Sequence, residues 1–378
     1  MHFTPRTDEL LALPSNINLE AVIAMSPENF CYASGAYILT VEYIRPRQAF
    51  AVLAKDKDPF VLICSIEESL TRDESWIDDI RTYVEFADNP IDRLVAELKR
   101  EGITSGRVGI DLDYLPVSSY QRLIQALPDI EFVDTTQAIA AIRAVKTRTE
   151  VDILTRTTQI THQAVLDAME MSQLGDSEYD MASKIATNML RTGADGTLFM
   201  CFGTGDRTAH PHTMASPDVI PQAHDLIKFD VGGTFGAFAS DFARTYSAGE
   251  PTDLQKQTYR ALAKIQRETI EAIRPGMTAE DLFYFCKEGF AKNGIAFHMP
   301  HIGHSFGVEL HENPMLRPGD KTQLVPGMVV NIEPLAKDER GNGYHLEDLV
   351  LITDTGAQLL SLGLAPAEIP VIGQKIKY

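Results

Sequence analysis

FDVGGTFGAFASDFARTY, residues 229–246, reads as two apolar strands joined by a glycine-rich turn. Each strand carries an aspartate, Asp230 and Asp241, where burial is expected. A carboxylate in a half-buried sheet is costly unless a hydrogen-bond network or a cation accompanies it, so the rest of the chain must supply a partner.

Working outward, the flanking segments form a repeat. LGDSEYDM (174–181) and PGMTAEDL (275–282) share the order Gly, Ser/Thr, Asp, apolar at a constant offset of 101, which Gly193 and Gly294 keep. Ser177 and Thr278 suit helix N-caps, the acid three residues later suits the first turn, and the glycines suit the helix ends. LIKFD (226–230) parallels VVNIE (329–333) at an offset of 103, and a second acid-bearing strand follows each, around Asp241 and Glu347. A duplicated helix, helix, strand, strand unit thus implies internal pseudo-symmetry, with each half offering two acids to one centre.

Asp230, Asp241, Glu333 and Glu347 all sit among residues that prefer burial, including Phe229, Phe242, Ile332 and Leu346. Four anions converging in a low-dielectric interior stay ionised only if cations hold them, and two divalent ions balance four carboxylates. Eight of the ten histidines fall between 210 and 345, four of them in HMPHIGHSFGVELHENP (298–314). A carboxylate-dominated set with imidazole suits Mn or Co, with Zn or Fe as alternatives. His224, His298 and His301 are expected to be structural or to lie behind the ligands. FGTGDR lacks the lysine and spacing of a phosphate loop, and no serine stands in a nucleophile elbow.

Upstream, LEAVIAM (19–25), QAFAVLA (48–54), PFVLIC (59–64) and GRVGIDL (106–112) read as strands. PIDRLVAELKREG (90–102) and SSYQRLIQAL (118–127) read as helices, giving an α/β domain over residues 1–143. AIRAVKTRTE (141–150) reads as a junction, a long helix is expected from about Glu150 to Met171, and the catalytic domain occupies residues 144–378.

At 378 residues and 44% hydrophobic, the chain is long enough for two packed domains. Its 34 Lys plus Arg against 53 Asp plus Glu give a net charge of −19, which repels nucleic acid and anionic membranes. The four cysteines lack metal-type spacing and fit free thiols in a reducing compartment. The N-terminus has no basic start followed by an apolar core, and no apolar run reaches membrane-spanning length. The expectation is therefore a cytoplasmic protein.

Taken together, FDVGG, SDFARTY, GHSFGVELHENP, NIEP and HLED, in this order, resemble the motifs of the pita-bread metallohydrolases: prolidase, aminopeptidase P, methionine aminopeptidase and creatinase. SPENFCYASG (26–35) and AIRAVKTRTEVDIL (141–154) resemble the creatinase-type N-terminal domain and the start of the catalytic domain. The resemblance covers most of the chain, and its two-domain layout points to the prolidase and aminopeptidase P branch. It implies an α+β pita-bread catalytic domain with a pseudo-two-fold repeat, preceded by a smaller α/β creatinase-type domain, in a homodimer. It further implies that Asp230, Asp241, His304, Glu333 and Glu347 ligate two metals, with Asp241 and Glu347 bridging. Glu333 would be the general base, His311 would contact the scissile group or the tetrahedral intermediate, and His212 would face the leaving side. The implied chemistry is attack of a metal-bridging hydroxide on the amide of X-Pro dipeptides or short peptides.

Two departures bear on the substrate. The family's "RIED" has His345 in place of arginine, and GDRTAHPH puts Arg207 and His210 near the expected pocket. These three residues are assigned to substrate binding, and a change from arginine to histidine alters charge and reach together. The departures leave a second reading open, a hydrolase or lyase of a small non-peptide amide or related metabolite, with Arg207 holding its carboxylate. A binding module that kept the scaffold, or a metal-free creatinase-type enzyme, is disfavoured because all five ligands are present.

Overall fold

The computed structural model describes residues 3–44 and 46–376. The chain divides into two compact units, residues 1–143 and 144–378. Among the described residues no helix is long and apolar enough to cross a membrane.

The first unit is built on a six-stranded sheet: β1 (Ala21–Ala24), β2 (Phe50–Ala54), β3 (Phe60–Cys64), β4 (Asp79–Tyr83), β5 (Gly106–Ile110) and β6 (Ile130–Asp134). The strand order is β4-β3-β2-β1-β5-β6. The outer pairs β3–β4 and β5–β6, and also β1–β5, run parallel, whereas β1–β2 and β2–β3 run antiparallel. Every residue of β1, β2 and β3 is buried. Apolar runs such as AVIA, FAVLA and FVLIC require cover on both faces of the sheet. The helix Pro90–Arg100 supplies part of that cover through Ile91, Leu94 and Leu98. It starts where the Asn89 side chain accepts from the amides of Ile91 and Asp92, with Pro90 pre-set in the first turn.

SPENFCYASG has a similar local logic. Ser26 caps the helix Pro27–Ser34, and Gly35 ends it in the left-handed region at φ 77°. Asp111, fully buried just past β5, accepts from the amides of Met25 and Ser26 at 2.8 and 2.9 Å and from Asn29 Nδ2 at 3.0 Å. Arg143 Nη1 donates to Asn29 Oδ1 at 2.8 Å. The motif's asparagine is therefore a connector between a buried acid and a buried base. Asp111→Ala strands three donors at once and is expected to cost about 3 kcal/mol. Urea unfolding of the first unit's transition measures this, and a loss below about 1 kcal/mol would show the network to be dispensable.

The second unit repeats one arrangement twice. The helices Arg148–Glu170 and Glu178–Thr192 precede β7 (Gly196–Thr204), β8 (Leu226–Phe235), β9 (Phe238–Ala239) and β10 (Phe242–Ser247). The helices Asp253–Ala272 and Ala279–Lys292 precede β11 (His304–Ser305), β12 (Glu312–Met315), β13 (Val329–Ile332), β14 (Leu335–Lys337), β15 (Gly343–His345), β16 (Asp348–Ile352) and β17 (Ala357–Leu359). All four helices open with a reciprocal capping box, at Thr147/Glu150, Ser177/Asp180, Thr252/Gln255 and Thr278/Asp281. Each half packs its helices on its strands in a separate apolar cluster. Ile185, Met189, Phe229 and Val231 belong to the first, and Leu282, Phe290, Val330 and Ile332 to the second.

The segment expected to be a junction is mostly helical. Ala141–Ala144 ends the helix Thr136–Ala144, and Arg148 opens the next one. Between them Val145 bridges Met328, and Lys146 forms an ion pair with Glu312 in which both side chains are 1% exposed. The lack of an apolar stripe in this stretch reflects Lys146, which is buried by pairing with the distant Glu312.

Candidate metal centre

Each half contributes a β-hairpin. In the first, β8 and β10 pair with Asp230 opposite Ala243 and Val231 opposite Phe242, which sets Asp241 opposite Gly232. In the second, Ile332 faces Asp348 and Leu335 faces His345, which sets Glu333 opposite Glu347. Side chains two apart on a strand share a face, so Asp230 and Asp241 point to one side of their hairpin, and Asn331, Glu333, His345 and Glu347 to one side of theirs. The halves thus present their acids in different registers: the second pair is directly cross-strand and the first is diagonal.

Thr245 and Ala243 join the hairpins. The Thr245 hydroxyl donates to the His345 carbonyl at 3.0 Å and accepts from its amide at 2.8 Å, and the Glu347 amide donates to the Ala243 carbonyl at 3.1 Å. Arg244, 1% exposed, donates through Nη2 to Asp348 Oδ1 at 2.6 Å and through Nη1 to the Glu347 carbonyl. The arginine of SDFARTY and the aspartate of HLED are therefore a single buried clamp on the two strands that carry Asp241 and Glu347.

His304 arrives on β11. Its amide donates to Asn331 Oδ1 at 3.1 Å, and the Glu333 amide donates to the Ile302 carbonyl at 2.9 Å. This approach requires Gly303, because a Cβ there would lie 1.9 Å from the Asn331 carbonyl oxygen. His304 Nδ1 lies 3.0 Å from the Ser305 carbonyl, which can only accept, so Nδ1 carries the proton. The lone pair of Nε2 then faces Glu333 Oε1 at 3.4 Å and Asp241 Oδ2 at 3.7 Å. Burial pushes the His304 pKa down to about 4, which keeps the ring neutral, the form that ligates metal.

Asp230, Asp241 and Glu347 each bring one ligand atom into a set whose members all lie within 4.8 Å of one another, and Glu333, His345 and Glu347 form a second such set. Glu347 belongs to both. Burial and the neighbouring carboxylates push the Asp241 and Glu347 carboxyls well above the usual range, and burial also raises Asp230. Burial likewise pushes Glu333 up, but the surrounding His301, His345 and His304 outweigh it and hold this carboxyl below the ordinary range. Asp230 Oδ1, Glu333 Oε1, Glu347 Oε2 and His345 Nε2 are buried and make no hydrogen bond. The His301 and His345 nitrogens approach the Glu333 oxygens at 3.4 Å, longer than a well-formed hydrogen bond. Orphaned carboxylate oxygens and an imidazole lone pair converging at this spacing fit divalent cations as the missing partner.

The other expected site residues spread outward. His311 is exposed, its ring centroid 4.0 Å from that of His304, and partial burial lowers its pKa. His212 is exposed. His210 is exposed, and its carbonyl accepts from the buried Lys228 Nζ at 2.7 Å. Arg207 differs from expectation. Its Nε donates to both oxygens of the fully buried Glu178 at 3.0 and 3.1 Å, and its Nη2 to Thr213 Oγ1 and the Met214 carbonyl. It ties the start of the helix Glu178–Thr192 to Thr213 and Met214, because a buried carboxylate claims the guanidinium first. His345 also differs, lying 3% exposed among the acids. His224 and His298 are exposed, whereas His301 abuts Glu333. Asn331 also joins the site from outside the expected residues, its Nδ2 donating to Glu347 Oε1. The signal was its position two residues before Glu333 in an otherwise apolar strand.

A duplicated α+β unit folded around buried carboxylates and an imidazole, following a smaller α/β unit in the chain, defines the pita-bread metallohydrolase class. Residues 152–354 match the model of metallopeptidase family M24, and residues 6–145 match the creatinase/prolidase N-terminal domain. The chain belongs to metallopeptidase family M24, and it is a peptidase of the hydrolase class. It is 28% identical over 358 residues to an Xaa-Pro dipeptidase of Pyrococcus furiosus, covering 94% of this chain and 97% of the relative. It is 34% identical over 239 residues to the probable dipeptidase PepE of Mycobacterium tuberculosis, covering 63% of each. Among solved structures it is similar to the prolidase of Pyrococcus horikoshii (TM-score 0.82, 26% identity, 94% of this chain and 97% of that one). It is also similar to the dipeptidase PepE of Mycobacterium ulcerans (TM-score 0.83, 26% identity, 97% of each).

Proposed function

We propose that this chain hydrolyses the amide bond of Xaa-Pro dipeptides or short peptides, with two divalent ions held by Asp230, Asp241, His304, Glu333 and Glu347. The observation that carries the reading is the group of buried, unbonded carboxylate oxygens on facing hairpins, with the His304 lone pair turned toward them. When bound, such a pair polarises the scissile carbonyl and acidifies a water at neutral pH. Glu333, which stands across from Glu347 with an oxygen 3.4 Å from His304 Nε2, is placed to accept the proton of that water. His311, beside His304 and open to solvent, can donate a hydrogen bond to the oxygen that gains charge as the carbonyl becomes tetrahedral. His212 can deliver a proton toward the leaving nitrogen.

The names of the relatives support the proline-containing substrate. The alternative, a small non-peptide amide held through Arg207, is less favoured because Glu178 and Thr213 already engage Nε and Nη2 of that guanidinium. The test is hydrolysis of Ala-Pro, Leu-Pro and Ala-Ala dipeptides and of cyclic amides, before and after chelation and after Mn or Co is restored. Cleavage of the X-Pro dipeptides that vanishes on chelation and returns with metal is expected. Full activity in metal-stripped protein, or turnover confined to the cyclic amides, would overturn the reading.

A further inference from the structure

We propose that His345 is itself a metal ligand, a sixth donor that joins Glu333 and Glu347 around one of the two ions. The inference rests on the two-metal reading above and deepens it. In the family pattern this place belongs to arginine, which is permanently charged and cannot ligate a cation, whereas a neutral imidazole can.

Three observations converge. First, His345 lies two residues before Glu347 on the same strand face, and its ligand atom is within 4.8 Å of those of both Glu333 and Glu347. Donors sharing one ion at about 2.1 Å are separated by roughly 3–4 Å, so only a small adjustment separates this set from a coordination shell. Second, the ring is 3% exposed and its Nε2 is buried without a hydrogen bond, 3.4 Å from Glu333 Oε2. Third, the residue is fixed from behind. The Thr245 hydroxyl holds both its amide and its carbonyl, and Nδ1 faces Asp230 Oδ2 at 3.8 Å, where a carboxylate can orient the ring.

His304 and His345 both approach Glu333, with their Nε2 atoms 3.4 Å from its two different oxygens. The ion at Glu333 would then be held by two imidazoles, where the family pattern supplies one. A nitrogen-richer set shifts selectivity toward Co, Ni and Zn relative to Mn.

The experiment titrates chelator-stripped full-length protein with Co²⁺ and with Mn²⁺ by calorimetry and records the visible absorption of the Co²⁺ form. It compares wild type with His345→Ala, His345→Gln, His345→Arg and Thr245→Val, with circular dichroism confirming the fold of each. The expected result is two Co²⁺ per wild-type chain and, in each His345 variant, one of the two affinities lowered at least about tenfold. The Co²⁺ spectrum should change with it, and the loss should be smaller for Mn²⁺. Thr245→Val, which keeps the imidazole and loosens its mounting, should weaken the same ion less, and this arm stands even if the His345 variants fold poorly. Two ions bound by the His345 variants with affinities within about twofold of wild type and an unchanged spectrum would overturn this inference alone. Wild-type protein that binds no Co²⁺ or Mn²⁺ would overturn the two-metal reading and this inference with it.

Discussion

Asp241→Asn is expected to remove bound divalent metal and lower turnover by about a thousandfold while leaving the fold intact. Asp241 is 6% exposed, its Oδ2 faces His304 Nε2, and its ligand atom groups with those of Asp230 and Glu347. Replacing the carboxylate by an amide keeps the shape and subtracts one of the four charges that make the centre attractive to a cation. The same subtraction relieves repulsion when no cation is present, since burial and the charges of Glu347, Asp230 and Glu333 already raise the Asp241 carboxyl. The chelated variant should therefore melt no lower than chelated wild type, whereas only the wild type should gain stability on adding Mn or Co. Calorimetric melts with and without metal, run beside a dipeptide assay, measure both effects. Normal turnover, or an equal gain from metal in both proteins, would sink the site assignment.

Asp348→Ala is expected to cost about 3–5 kcal/mol, because it leaves the Arg244 guanidinium buried without its counter-charge. That corresponds to a fall in melting temperature on the order of 10 °C for a unit of this size. The pair lies at 2% and 0% side-chain exposure, Asp348 also accepts from Ser361 Oγ at 2.6 Å, and Arg244 reaches the Glu347 carbonyl as well. The damage should therefore spread to metal affinity through the position of Glu347. Replacing both partners with apolar residues, Arg244→Met with Asp348→Leu, should recover much of the stability and little of the metal binding. The ion pair would then serve alignment more than cohesion. A single variant that melts as wild type would remove this account of why the two motifs carry these residues.

Much of this was legible in the chain. The apolar runs at β1, β2 and β3 have no other stable use than the inside of a sheet, and Ser177 and Thr278 cap the helices whose starts they mark. The acids were conspicuous because Asp230, Asp241, Glu333 and Glu347 interrupt residues that want burial. The bracing of Arg207 was not legible, for a physical reason. Its distinguishing partner, Glu178, lies 29 residues away at the start of a helix, where an acid ordinarily needs no explanation.

By itself the sequence determined the elements, their duplication and the charge problem at the centre, because periodicity, caps and misplaced carboxylates are local properties of a chain. Tertiary structure alone decided the registers: that Glu333 stands across from Glu347 while Asp241 falls opposite Gly232, and that Asn331 and His345 share the acids' face. It alone decided that Gly303 lets His304 reach Glu333 and that Arg244 spends its charge on Asp348. Register and partnership depend on which strand lies beside which, and no side chain carries that information until the two hairpins meet.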